Sequence, residues 1–170
     1  MSRFSNTNLI NKFLRLAPLI ILYLSVLNEF DFNYSKILSF NFPFILIFYW
    51  SLRKSEALGY GYIFVAGLLN DVVNALPIGI SSFNYLFICG FAAYLRTITL
   101  RPNLVKDWLF FLITIMVVNS LSYSLLYLTF SIDLNYNSLF FNTFLTFLLY
   151  IVFAYIFMLY QKSFFREGND

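Results

Sequence analysis

The chain has 170 residues, 61% of them hydrophobic and only 11% charged, with a formal charge of +3 and no histidine. A soluble domain of this length carries roughly 25% charged residues, so its surface as well as its core is expected to face an apolar medium. The absence of histidine excludes imidazole-bound zinc and Ser-His-Asp or Cys-His nucleophile pairs, and the single cysteine, Cys89, excludes an intrachain disulfide.

Six apolar stretches follow in chain order, and each is expected to form a membrane-spanning helix. They run from residues 14 to 27, 37 to 52, 58 to 76, 78 to 95, 108 to 130 and 139 to 160. The first contains Arg15 and Pro18, the second Asn41 and Pro43, and the third Asn70, Asp71 and Asn74. Crossing a hydrocarbon layer about 30 Å thick takes about 20 helical residues, so six spans consume about 120 positions. The remainder is short loops and tails, which makes 1–170 one transmembrane domain of an all-α integral membrane protein. The first stretch resembles a signal peptide, but Asn28, Glu29, Phe30 and Asp31 follow it in place of a small-residue cleavage site. It is expected to be a retained helix.

Charge placement orients the bundle. Six spans put Arg3, Lys12, Arg15, Arg53, Lys54, Arg96, Arg101, Lys106, Lys162 and Arg166 on one side, leaving Lys36 opposite with Glu29, Asp31 and Asp133. Cationic loops stay in the cytoplasm, so both termini are expected there.

The third span is the least ordinary. Asp71 lies about 8 Å from the outer end of that span when counted back from Leu76. A carboxylate at a span centre costs about 2.5–3.5 kcal/mol, so an intramembrane Asp is expected to face the bundle and to have a partner. Gly67, Asp71 and Asn74 fall at i, i+4 and i+7 on one helical face, where glycine lets another backbone come close. Two readings stand side by side. In one, Asp71 accepts hydrogen bonds from a neighbouring helix and holds the hairpin across Pro77 together. In the other it is a proton-relay or ion site, which requires a second ionisable group at similar depth. The other spans as delimited supply none, and Asn119 and Asn142 are uncharged candidate partners. An intramembrane aspartyl protease needs two membrane aspartates and a rhomboid protease a serine with a histidine, so neither fits.

Other features have plain explanations. The thirteen Tyr and twenty-three Phe suit interfacial belts and lipid-facing surface. Gly90, Ala92 and Ala93 mark an expected close helix contact in the fourth span, to a partner helix as readily as to an internal one, and Cys89 is expected to serve packing. Arg96, Arg101 and Lys106 sit where anionic lipid heads lie, although topology alone accounts for them.

The stretch Ala66-Gly67-Leu68-Leu69-Asn70-Asp71, then Ala75-Leu76-Pro77-Ile78-Gly79-Ile80, followed by Tyr85 and Arg96, resembles the signature of the bacterial rod shape-determining MreD family. The family pattern reads approximately G-L-L-x-D-x-x-x-G-x-P-L-G, with a preceding span that carries a Pro and a Tyr-Trp pair; here these are Pro43 and Tyr49-Trp50. Ala75 stands where the family has glycine, and Ile78 where Leu is common. The resemblance implies a non-enzymatic inner-membrane subunit of the machinery that builds the lateral peptidoglycan wall, with no cofactor and no nucleic acid. Implied complex members are MreC, the actin-like MreB, RodA and a class B penicillin-binding transpeptidase. Gly67, Asn70, Asp71, Asn74, Pro77, Gly79, Tyr85 and Arg96 become candidate structural or partner-contact residues.

The family's fold is similar to that of the six-helix substrate-binding subunits of energy-coupling factor transporters, which gives an alternative function: a vitamin-binding transporter subunit. The first span, Leu16-Ala17-Pro18-Leu19-Ile20-Ile21-Leu22, lacks an Ala-x-x-x-Ala docking stripe, and the outer loops are poor in groups that grip a ligand. Both favour the scaffold.

Overall fold

The computed structural model describes residues 16–27, 40–53, 58–99, 103–130 and 136–164. They form six helices: α1 (Leu16–Leu27), α2 (Phe42–Arg53), α3 (Tyr60–Val73), α4 (Ile80–Ile98), α5 (Leu104–Phe130) and α6 (Tyr136–Phe164). Arg3, Lys12, Arg15, Glu29, Asp31, Lys36, Lys54, Arg101, Asp133 and Arg166, on which part of the charge argument rests, lie outside the described residues.

Two helices, Leu104–Phe130 and Tyr136–Lys162, are long and apolar enough to cross a membrane by that measure alone. The hairpin between the third and fourth spans departs from the expected limits for a backbone reason. The turn around Pro77 takes residues 74–79 out of helix, so α3 stops at Val73 where the apolar run reached Leu76, and α4 starts at Ile80 where the run began at Ile78. Proline lacks an N–H and displaces the preceding residue from helical geometry. α5 starts before its expected limit and ends on it at Phe130, while α6 runs past the expected limits at both ends.

Contacts along the helices set their directions. α3 and α4 form an antiparallel hairpin and make the most extensive pairing in the bundle. α5 and α6 form a second hairpin, with the Trp108 ring stacked on Phe147 at 4.4 Å and Phe111 on Tyr150 at 4.5 Å. α2 runs parallel to α4, because Phe44 meets Tyr85 and, further along both, Ser51 meets Cys89. It also runs parallel to α6: Asn41 bonds Asn142 and Thr146 near its start, and Tyr49 bonds Gln161 near its end. The ends of α2, α4 and α6 therefore share one end of the bundle with the starts of α3 and α5. All four described cations, Arg53, Arg96, Lys106 and Lys162, lie at that end.

α2 is the packing centre. Every residue from Phe44 to Leu52 is buried, so this helix is apolar all round and takes its neighbours on every face. The large apolar side chains of α5 and α6 instead include a long exposed set, among them Ile113, Met116, Leu128, Phe140 and Ile151, as expected of a surface that meets lipid.

Candidate functional site: the Asp71 clamp

Asp71 sits in the last turn of α3 and is fully buried. Its two carboxylate oxygens take different donors. The Gly79 backbone N–H donates to Oδ2 at 2.7 Å and the Ser81 backbone N–H to Oδ1 at 2.8 Å. These are the N-cap and second N–H groups of α4, two of the orphan donors that every helix start exposes. Gly79, the N-cap residue, has no side chain to satisfy them and sits in the left-handed region at φ 105°. The carboxylate of one helix thus caps the next, where the positive end of the α4 dipole favours its negative charge.

The backbone of Asp71 closes the other half of the junction. Its carbonyl accepts the Leu76 N–H at 2.9 Å, while the Val72 carbonyl accepts the Ala75 N–H at 3.4 Å. These are the two bonds of a Schellman ending, with Ala75 in the left-handed position at φ 51°. This is the position where the resembled pattern has glycine, and the local strain of a non-glycine residue there follows directly.

Close approach does the rest. A Cβ built on Gly67 would lie 2.5 Å from the Ser82 backbone nitrogen, so only glycine lets the two helices touch at this depth. Ser82 Oγ donates to the Phe64 carbonyl at 3.0 Å and Asn70 Nδ2 to Ser81 Oγ at 2.8 Å. The small, polar face expected from Gly67 and Asp71 therefore exists and is turned to α4. Asn74 does not share it: it is exposed, and its Nδ2 turns back to the Asn70 carbonyl at 2.9 Å. Asn70, one position before Asp71, supplies the polar contact in its place.

Of the remaining candidates, Pro77 lies in the turn and its carbonyl accepts the Ile80 N–H at 3.4 Å. Tyr85 is buried, edge-on to Phe44 at 6.0 Å, and Arg96 is exposed in the last turn of α4 at the opposite end from Asp71. Asn119 and Asn142 are not partners of Asp71. Asn119 Nδ2 donates to Thr143 Oγ1 at 2.8 Å, and Asn142 Oδ1 accepts from Asn41 Nδ2 at 3.2 Å. In the fourth span Ala92 is buried within the bundle, while Gly90 is exposed with open space where a Cβ would go.

A second polar site was missed in the sequence. Arg53, at the end of α2, donates through Nη2 to Asp107 Oδ2 at 2.6 Å, with the Tyr49 ring 5.9 Å from the guanidinium carbon. Asp107 is buried in the first turn of α5, one residue before the expected start of the fifth span, which is why it was not counted among the membrane carboxylates. The available signal was an N-cap residue before an acidic first turn: Asn103 Oδ1 accepts the Val105 N–H at 3.0 Å, and Asp107 follows in the first turn of α5.

The two described carboxylates are thus at opposite ends of the bundle, each spoken for by donors, and no group of three His, Cys, Asp or Glu side chains among the described residues comes together for a metal. The sequence profile of the family described as rod shape-determining protein MreD matches residues 7–166. The chain belongs to the MreD family. As a member it is a membrane protein with a role in rod-shape determination. No curated protein and no solved structure matches the chain.

Proposed function

We propose that this MreD-family chain is a non-catalytic scaffold of the inner membrane, crossing it six times with both termini in the cytoplasm, and that it serves the cell-elongation complex by helix packing. The direct partner in this reading is MreC, with MreB, RodA and a class B penicillin-binding transpeptidase as further members. The observation that carries it is the Asp71 clamp. A buried carboxylate is satisfied wholly by backbone N–H groups of its own hairpin, which leaves it no lone task as a proton carrier and gives the 74–79 turn a fixed shape. That turn exposes Ile78 at the end of the bundle away from the cations, where a partner with an external domain would meet it. The alternating directions of α2 to α6 support the six-span layout.

The vitamin-binding reading, with its likeness to energy-coupling factor subunits, draws on the polar side chains near the same end. Those groups bond one another: Ser122 to Asn84, Asn119 to Thr143 and Asn41 to Asn142. Closed pairs of this kind favour a packed interior over a ligand pocket. Equilibrium dialysis against a vitamin panel separates the two, and a nanomolar ligand would reverse the preference.

The test of the scaffold reading is co-purification with MreC beside membrane yield. Asp71→Leu is expected to reduce MreC recovery per unit of protein. If recovery and cell shape stay unchanged for both Asp71→Leu and Asp71→Asn, the functional role of this hairpin fails.

A further inference from the structure

The exposed apolar surface does not have the same height all round the bundle. α3 is bounded on both sides by irregular backbone, Gly59 at φ 64° before it and the 74–79 turn after it. Its 14 residues rise at most about 21 Å, and any tilt lowers that figure. Irregular backbone does not face lipid at hydrocarbon depth, so neither flank extends the apolar band. Tyr60 and Tyr62 are exposed at one end of this face and Asn74 at the other, the placement expected of side chains at headgroup level. Along α4, the rise from Gly79 to Arg96 is about 25 Å. α5 and α6 differ: they expose large apolar side chains from Val105 to Phe130 and from Tyr136 to Leu159, each a rise of about 35 Å.

A long helix fits a hydrocarbon layer of about 30 Å by tilting, but a short one has no such freedom and draws the bilayer thinner. We propose that the α3–α4 face is a lipid-facing surface over which the membrane is locally thinned, while the α5–α6 face meets bilayer of ordinary thickness. The inference rests on the reading that α3 crosses the membrane. Lipid is the occupant because Phe64 and Val65, between the two ends of the face, are bulky and carry no hydrogen-bonding group, whereas packed helix interfaces in membranes favour small and polar residues. The chain would then carry its own preference for thin or short-chain membrane, built into the length of one helix.

Nitroxide depth measurements test this. Labels go on Tyr60→Cys, Val65→Cys and Val72→Cys in α3, and on Val105→Cys, Met116→Cys and Leu128→Cys in α5. All are made in a Cys89→Ser background, with one full-length chain per dioleoyl phosphatidylcholine nanodisc. Access to oxygen and to a water-soluble nickel chelate reports depth. The expected result is nickel access rising at both Tyr60 and Val72 with an oxygen maximum at Val65, and an apolar interval on α5 about twice as long. Oxygen-dominated access at both Tyr60 and Val72 would overturn the proposal while leaving the six-span layout standing. Labels on α3 that are immobilised and reached by neither agent would mean that protein covers the face, and would overturn it too. Nickel access at all three α3 positions would take α3 out of the bilayer, overturning the layout together with the inference.

Discussion

The carboxylate of Asp71, in the last turn of α3, accepts the backbone N–H of Ser81 in the first turn of α4 at 2.8 Å, while its second oxygen holds Gly79. One side chain therefore ends one helix and begins the next. Substitution to asparagine keeps one acceptor and turns an amide donor toward the other N–H. We expect Asp71→Asn to cost about 1–2 kcal/mol, the scale of a lost charge-assisted cap. Asp71→Leu leaves both N–H groups buried without partners and should cost more than about 3 kcal/mol. Thermal unfolding of the purified protein in one detergent checks the order; equal loss in both variants would contradict the capping role.

Ala75 occupies the left-handed ending of α3 at φ 51°. A Cβ in that conformation costs about 1–2 kcal/mol that glycine does not incur. Ala75→Gly is expected to raise stability by about 1 kcal/mol and Ala75→Val to lower it, since a β-branched residue is still less tolerant of positive φ. The same unfolding measurement decides, and a destabilised glycine variant would mean the turn is not shaped as described.

Three glycines give a contrast within one experiment. Gly67→Ala forces a Cβ onto the Ser82 backbone and should cost about 2–3 kcal/mol or abolish folding, because backbone has little room to yield. Gly61→Ala and Gly90→Ala meet nothing within 4 Å, and should change stability by less than about 1 kcal/mol, in the favourable direction if helix propensity prevails. Membrane-fraction yield of the three variants gives a first answer before any purification.

The Arg53–Asp107 pair joins α2 to α5 with its acidic partner buried. Removing either partner alone strands a charge, so Arg53→Met and Asp107→Leu should each cost about 3–5 kcal/mol, while the double variant should cost clearly less than their sum. A double-variant cycle measures this coupling. Additive losses would show that the contact does not hold the helices.

How much of this was legible beforehand depends on the kind of signal. The positions of the apolar runs gave six helices in order, and the Gly67 and Asp71 spacing marked a close, polar contact, because side-chain periodicity and glycine size are local properties of the chain. The donors to Asp71 were not legible: they are backbone N–H groups of Gly79 and Ser81, which no residue type announces. Helix ends were misplaced at α3 and α4 because hydropathy averages over Leu76, Pro77 and Ile78, all apolar, while backbone geometry there is a turn. Asn74 was assigned to the packed face by periodicity, but the helix ends beneath it and its amide bonds its own backbone. Arg53 and Asp107 were read as topology markers or not at all, since an ion pair between residues 54 positions apart requires the fold that brings them together.

The layout of six crossings with the cations inside carries the whole account, and reporters that work on only one side of the membrane test it most directly. Fusions at both chain ends should report the cytoplasm, and insertions at the 74–79 turn and at residues 131–135 should report the outside. Chain ends found on opposite sides of the membrane would contradict it.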